Sequence, residues 1–351
     1  ISGGTSMRKY GYLDKVIGFL TENDVASIVY DKILPNPIKS HVMEAAAICR
    51  EQGCDFIIGL GGGSTIDSAK AAVMACNDGD FWNYVTGGSG KGRPVTKALP
   101  IVAIPTTAGT GTEADPWAVI TNEEKQEKIG FGCSLTFPAL SIIDPELMIS
   151  IPPHLTAYQG FDAFFHAAEG FIANCATPIS DLYALEAIRL LYKYLPVAVN
   201  DGKNLKARAK VAWASTLAGL VEATSSCTSE HSMEHAMSAY YPQLPHGAGL
   251  IALSEAYFET FRNDCMKRYM KMADVMTQQK SNRPSDFIDA LARMKKECHV
   301  DYIKLSEWGL KEEDLPKMVQ NARDTMGGLF TLDPRPLTDD EVLNIYRQSY
   351  K

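Results

Sequence analysis

The chain has 351 residues, of which 46% are hydrophobic and 22% charged, and carries a formal net charge of −8. That length supports a large core and points to two domains, and the acidic balance excludes an electrostatic footprint for nucleic acid or an anionic membrane. No apolar run reaches membrane-spanning length, and the eight cysteines form no CxxC pair, the pattern of reduced thiols in a cytoplasmic protein.

In chain order, Ile1-Ser2 reads as the tail of a strand that begins earlier. Gly3-Gly4-Thr5-Ser6 then turns into a helix predicted over 7–22, with Leu13, Val16, Ile17 and Leu20 on one face. Short apolar strands are predicted over 26–30, 56–60, 99–104 and 140–143. Helices are predicted over 38–52, closed by Gly53, and over 65–76. A hairpin is predicted around the polar turn Asn122-Glu123-Glu124-Lys125. This alternation implies a parallel sheet with helices on both faces. After about 151 helical periodicity takes over, with helices predicted over 181–195, 205–223, 254–277, 285–298 and 339–349. The expected domains are therefore 1–150, an α/β dinucleotide-binding domain, and 151–351, a helical domain. Gly87 to Gly92 misses the spacing of a phosphate loop and reads as a surface loop.

Two Gly-rich turns follow strands. Gly59-Leu60-Gly61-Gly62-Gly63-Ser64 joins a strand to a helix, where free N–H groups and the helix dipole suit a phosphate. A tight structural turn would look the same. Asp67 is either a capping-box partner of Ser64 or an acceptor for a cofactor hydroxyl. Thr106-Thr107-Ala108-Gly109-Thr110-Gly111-Thr112 offers hydroxyls for a pyrophosphate or a nicotinamide amide at the sheet edge where α/β proteins bind ligands.

Four of the seven histidines lie between Phe161 and Gly247. Asp162 with His166, and His231 with His235, have helical i,i+4 spacing, which puts each pair on one helix face. His246 follows in a Pro-His-Gly turn. Imidazoles clustered with a carboxylate make a candidate divalent-metal site, holding Fe²⁺ or Zn²⁺ without thiolate; a salt bridge and a polar helix face are the structural alternatives. His41, His154 and His299 read as structural. Phe161, Phe165 and Tyr240 are candidates for an apolar pocket or for the core.

Four ordered motifs together resemble the iron-containing (group III) alcohol dehydrogenases: Gly61 to Lys70, Ala103 to Glu113, Gly160 to Gly170 and His231 to Gly249. The resemblance runs from Gly3 to Lys351. It implies a Rossmann-like α/β domain plus an all-α domain in a dehydroquinate synthase-like architecture, with the active site in the cleft between them. It implies metal ligands Asp162, His166, His231 and His246. It puts His235 near nicotinamide and substrate rather than on the metal, as the catalytic residue. Cofactor contacts implied are Gly62, Gly63, Ser64, Asp67, Thr106, Thr107, Thr110 and Lys128.

Three features depart from the family pattern. Relatives carry a further strand and hairpin before the position of Ile1, which often pair between subunits. An Asp that selects NAD in many relatives aligns with Gly3. Gly3, Gly4 and Ser6, with Arg8 and Lys9 nearby, leave room for a 2′-phosphate, so NADP is expected, with NAD as the alternative. The segment 222–230 is unusually polar. The expected protein is a homodimer or higher homo-oligomer that interconverts small primary alcohols or diols (butanol- or 1,3-propanediol-like) and aldehydes. Iron is the expected metal, zinc the alternative. A polyol- or glycerol-type dehydrogenase and a non-catalytic dinucleotide-binding scaffold are the other readings.

Overall fold

A computed structural model describes residues 1–350. The chain forms two compact units. One comprises residues 1–107 and 112–150; the other comprises 108–111 and everything from Ile151.

The first unit contains α1 (Ser6–Lys9), α2 (Tyr12–Glu22), α3 (Lys39–Glu51), β1 (Ile57–Gly61), α4 (Gly63–Ala71), β2 (Ile101–Pro105), β3 (Ala118–Asn122), β4 (Glu127–Phe131) and β5 (Leu140–Ser141). The sheet β1-β2-β5 is parallel, with Ile57 opposite Ile101 and Val102 opposite Leu140. β1 and β2 are apolar because they are mostly buried, the usual pattern of a parallel sheet, whereas Leu140 of β5 is exposed. Leu60 and Ile104 pack with Met7 and Leu13, while Ile57 and Ile101 pack with Ala69 and Ala72. β3 and β4 form the antiparallel hairpin, with Thr121 opposite Lys128.

Three local expectations change. The helix expected over 7–22 is two helices, because Gly11 takes a left-handed φ of 73° between them. The segment 26–30 forms no ladder: Ser2 donates to the Tyr30 carbonyl and pairs with Leu60. Beside it, a cavity of about 600 Å³ lined by Leu13, Ile17, Val29, Ile48 and Ile58 lies between the two segments. The strand expected over 140–143 is only two residues long, since Ile142 and Ile143 leave the sheet exposed.

The first unit is tied together by one buried ammonium. Lys70, at the end of α4, has no exposed surface. Its Nζ donates to Thr112 Oγ1 at 2.7 Å, Asp115 O at 2.8 Å, Asp115 Oδ1 at 3.1 Å and Trp117 O at 2.7 Å. Asp67, one turn earlier, accepts from Thr112 Oγ1 at 2.8 Å and from Val119 N at 2.9 Å. The two side chains thus pin α4 to the chain leading into β3.

The second unit is helical throughout: α5 (Pro153–Ile172), α6 (Pro178–Asn200), α7 (Leu205–Thr224), α8 (Ser229–Tyr240), α9 (His246–Thr260), α10 (Met266–Thr277), α11 (Ser285–Glu297), α12 (Leu315–Phe330) and α13 (Asp339–Tyr350). The single helix expected over 254–277 is α9 and α10, separated by a turn at 261–265. Phe161, Phe164 and Phe165 of α5 form an aromatic core with Phe258 and Phe287, with centroids 5.2 to 6.4 Å apart. Phe161 and Phe165 are completely buried, so they belong to the core and line no open pocket. Close approach needs glycine at two crossings. A Cβ on Gly247 would meet the Tyr158 carbonyl oxygen of α5 at 2.1 Å, and one on Gly111 would meet Gly219 N of α7 at 2.4 Å. None of the described helices is long and apolar enough to cross a membrane.

Replacing Lys70 by Met strands a buried carboxylate and two carbonyls. The expected result is a loss of about 3 kcal/mol in denaturant titration, the range for breaking a buried ion pair; an unchanged midpoint would show that the pair is not integral to the fold.

Candidate active site

Helix α5 begins with Pro153 at its first turn, where a missing N–H costs nothing. It runs long enough to carry both Asp162 and His166 on one face. Helix α8 carries His231 and His235, and α9 starts at His246 itself. The side chains meet at one atom. Asp162 Oδ1 lies 3.6 Å from His166 Nε2, 3.6 Å from His231 Nε2 and 3.3 Å from His246 Nε2. His166 and His231 stack with centroids 4.4 Å apart.

These separations are those of ligands around a shared ion. A tetrahedral ion bound at about 2.0–2.2 Å holds its ligand atoms about 3.3–3.6 Å apart. Asp162 Oδ1 and His231 Nε2 are buried yet take part in no hydrogen bond, a costly arrangement unless a cation completes it. Burial alone would raise the Asp162 carboxyl, but His166, His246 and His231 outweigh it and hold the group well below the usual range. Burial pushes His166 down to about 3 despite Asp162, so its ring is neutral and able to donate a lone pair. Burial also lowers His231, but Cys227 and Glu169 more than offset this and raise it.

Two further groupings lie close by, His166 with Cys227 and His231, and Glu234 with His235 and His246; in the latter Glu234 is already bonded to His246 Nδ1 and Ser238. Burial raises the Cys227 thiol well above its ordinary value, and a thiol is a poor ligand compared with a thiolate. The Asp162, His231, His246 set, with His166 facing the same oxygen, is the better cation site.

His235 stands beside this cluster. Its ring centroid is 5.3 Å from that of His246 and 6.3 Å from that of His231. Its Nδ1 lies 2.8 Å from Met326 Sδ. A thioether only accepts, so this contact places the proton on Nδ1 and leaves Nε2 basic. Met326 reaches this position because α12 is kinked there, with φ −129° and ψ 34°.

The Gly-rich residues also come together. Gly62 caps α4 in an extended conformation and Gly63 opens the helix. Thr106 N donates to Gly61 O at 2.8 Å, and Thr107 packs against Gly62 at 3.2 Å from the Cβ position. Gly62, Gly63, Ser64, Thr106 and Thr107 therefore share the N-terminus of one helix. Gly3 joins them, its Cβ position lying 2.7 Å from Thr65 Oγ1. Gly4 turns with φ 52°, and Ser6 is the exposed first residue of α1. Both Asp67 oxygens accept from the segment that leads into β3, at Thr112 and Val119, and no side chain caps α4, so the capping-box reading does not hold. Lys128 lies in β4, not in the turn, and is buried. Thr110 belongs with the helical unit, where Gly109 packs on Gln159. The loop's glycines thus serve helix packing, which phosphate reasoning alone did not find.

Comparison with known proteins decides the family. Residues 1–145 match the family described as iron-containing alcohol dehydrogenase, and residues 156–350 match its C-terminal family. The chain belongs to the iron-containing alcohol dehydrogenase family. It is 33% identical to the 1,3-propanediol dehydrogenase of Klebsiella pneumoniae, over 97% of this chain and 88% of that protein. It is 32% identical to the NADH-dependent butanol dehydrogenase B of Clostridium acetobutylicum, over 99% and 91%. Among solved structures, an archaeal halo-thermophilic alcohol dehydrogenase from a Red Sea brine pool superposes with a TM-score of 0.95 at 36% identity, over 99% of this chain and 90% of that one. As a member of this family of iron-containing, nicotinamide-linked enzymes, the chain is an NAD(P)-dependent alcohol dehydrogenase. The Asp162 cluster is where its donor set fits a dication.

Two substitutions separate the Asp162 set from the Cys227 set. Asp162→Ala should abolish stoichiometric metal by elemental analysis, whereas Cys227→Ser should retain it. Gly247→Ala should also lose metal, because α9 must move away from Tyr158 and carry His246 with it; full retention in Gly247→Ala would disprove that constraint.

Proposed function

We propose that Asp162, His166, His231 and His246 hold a divalent cation, Fe²⁺ with Zn²⁺ as the alternative, and that the enzyme interconverts small primary alcohols or diols and their aldehydes. The single observation that carries the assignment is the convergence of three Nε2 atoms on Asp162 Oδ1. Nitrogen and oxygen donors suit either metal. The names of the propanediol and butanol relatives support the substrate class. A cation bound there supplies Lewis acidity to the alcohol or carbonyl oxygen. The nicotinamide supplies the hydride chemistry.

In oxidation, a nicotinamide held beside the cluster would take up the carbinol hydrogen as hydride. The hydroxyl proton leaves through His235 and passes to solvent. Reduction runs these steps backwards. His246 has the most exposed side chain of the four, at 23% against 4–7% for the others, which supports approach of the substrate oxygen from its side. The buried walls on the other sides keep water from competing.

For the cofactor we assign Gly62, Gly63, Ser64, Thr106 and Thr107 to the phosphates, with Thr110 and Lys128 as further contacts. Gly3, Gly4 and Ser6 lie toward the adenosine ribose. NADP(H) is the proposed nucleotide, since no side chain at Gly3 opposes a 2′-phosphate and Arg8 is close in sequence. Arg8 is paired with Asp31 at 2.7 Å, and the relative named as NADH-dependent makes NAD(H) the alternative.

His235→Ala should lower kcat at least tenfold with metal content unchanged; loss of metal would place His235 among the ligands instead. The kcat/KM ratio of NADPH to NADH, measured with butanal, should exceed ten and fall below one in Gly3→Asp. A parent ratio below one would overturn the NADP assignment.

A further inference from the structure

The three imidazoles that face Asp162 each turn their other nitrogen toward a different glutamate. His231 Nδ1 bonds Glu169 Oε1, and His246 Nδ1 bonds Glu234 Oε2. His166 Nδ1 lies 3.4 Å from Glu222 Oε1. The glutamates come from three helices, α5, α7 and α8. Glu169 and Glu234 are completely buried. They are themselves held in place. Glu169 Oε2 accepts from Thr228 N at 2.8 Å and Thr228 Oγ1 at 2.9 Å. Thr228 Oγ1 in turn lies 2.8 Å from Tyr257 OH. Glu234 Oε1 accepts from Ser238 Oγ. Glu222 is the looser arm, and its second oxygen takes the Cys227 thiol at 3.6 Å.

A carboxylate at Nδ1 accepts only. It therefore keeps the proton on Nδ1 and leaves the Nε2 lone pair aimed at the centre. It also makes the ring a stronger donor. We infer that Glu169 and Glu234 are positioning residues: each fixes the tautomer and orientation of one cation-binding histidine, while Glu222, 3.4 Å from His166 Nδ1 without a hydrogen bond to it, orients that ring only by charge. This rests on the reading that these histidines hold a cation. The polar stretch 222–230 then has a purpose, since it supplies Glu222 and the Thr228 contacts that hold Glu169.

The test uses Co²⁺ as the probe, with its affinity measured by competition against a chromophoric chelator and its ligand field by visible absorption. The unsubstituted protein should bind one Co²⁺ per chain with a tetrahedral spectrum; failure to bind would sink the cation reading itself. Glu169→Ala and Glu234→Ala should weaken Co²⁺ binding about 10–100-fold. Glu169→Gln and Glu234→Gln keep an acceptor oxygen in the same place, and should recover affinity to within about tenfold with the parent spectrum. Glu222→Ala should weaken binding less than either buried variant. Ala variants that bind within threefold of the parent overturn the proposal, as does an equal loss in the Gln and Ala variants, which would assign the effect to charge alone. The Gln variants, isosteric with Glu, keep the test open if an Ala variant does not fold.

Discussion

One carboxylate oxygen governs the helical unit. Asp162 Oδ1 is buried, and three imidazoles crowd it from the helix that bears it and from two others. Such an arrangement is unfavourable as a set of bare polar groups and favourable as a coordination shell. Much nearby can be understood as service to it. Gly247 lets α9 press against α5, the Thr228 turn holds Glu169, and the kink at Met326 orients His235. The aromatic core of Phe161, Phe164, Phe165, Phe258 and Phe287 lies beneath and keeps α5 from shifting.

The first unit solves a different problem. No side chain caps the start of α4, an arrangement that suits an anion at a helix N-terminus. The helix is anchored from further along instead. Asp67 and Lys70 bond the chain from Thr112 to Val119, leaving Gly62 and Gly63 clear. Charged residues inside a Gly-rich motif thus carry structural contacts here.

Periodicity and composition made most elements readable, and the i,i+4 spacing of Asp162 with His166 made the centre readable in outline. What escaped depends on partners distant in the chain. The apolar run 254–277 has helical spacing throughout, and only the packed turn at 261–265 splits it. Segment 26–30 has strand composition but no neighbour in register. The supporting glutamates were hidden by their own proximity. Glu169 lies one turn after His166 and Glu234 one turn after His231, yet Glu169 bonds His231 and Glu234 bonds His246. Each acid serves a histidine on the following helix of the cluster, a relation set by helix packing and not by spacing. Gly109 and Gly111 likewise carry a phosphate-loop appearance while packing against Gln159 and Gly219.

That crossed pattern bears on how the protein matures. No single helix owns a complete donor: α5 supplies the acid for a histidine on α8, and α8 supplies the acid for the histidine on α9. A partly docked bundle therefore offers a cation only fragments, and the whole binding free energy accrues to the finished arrangement. With the proposed cation bound, the centre would be a latch on assembly as much as a tool for chemistry, and the chain without its cation would be the one more open to proteolysis.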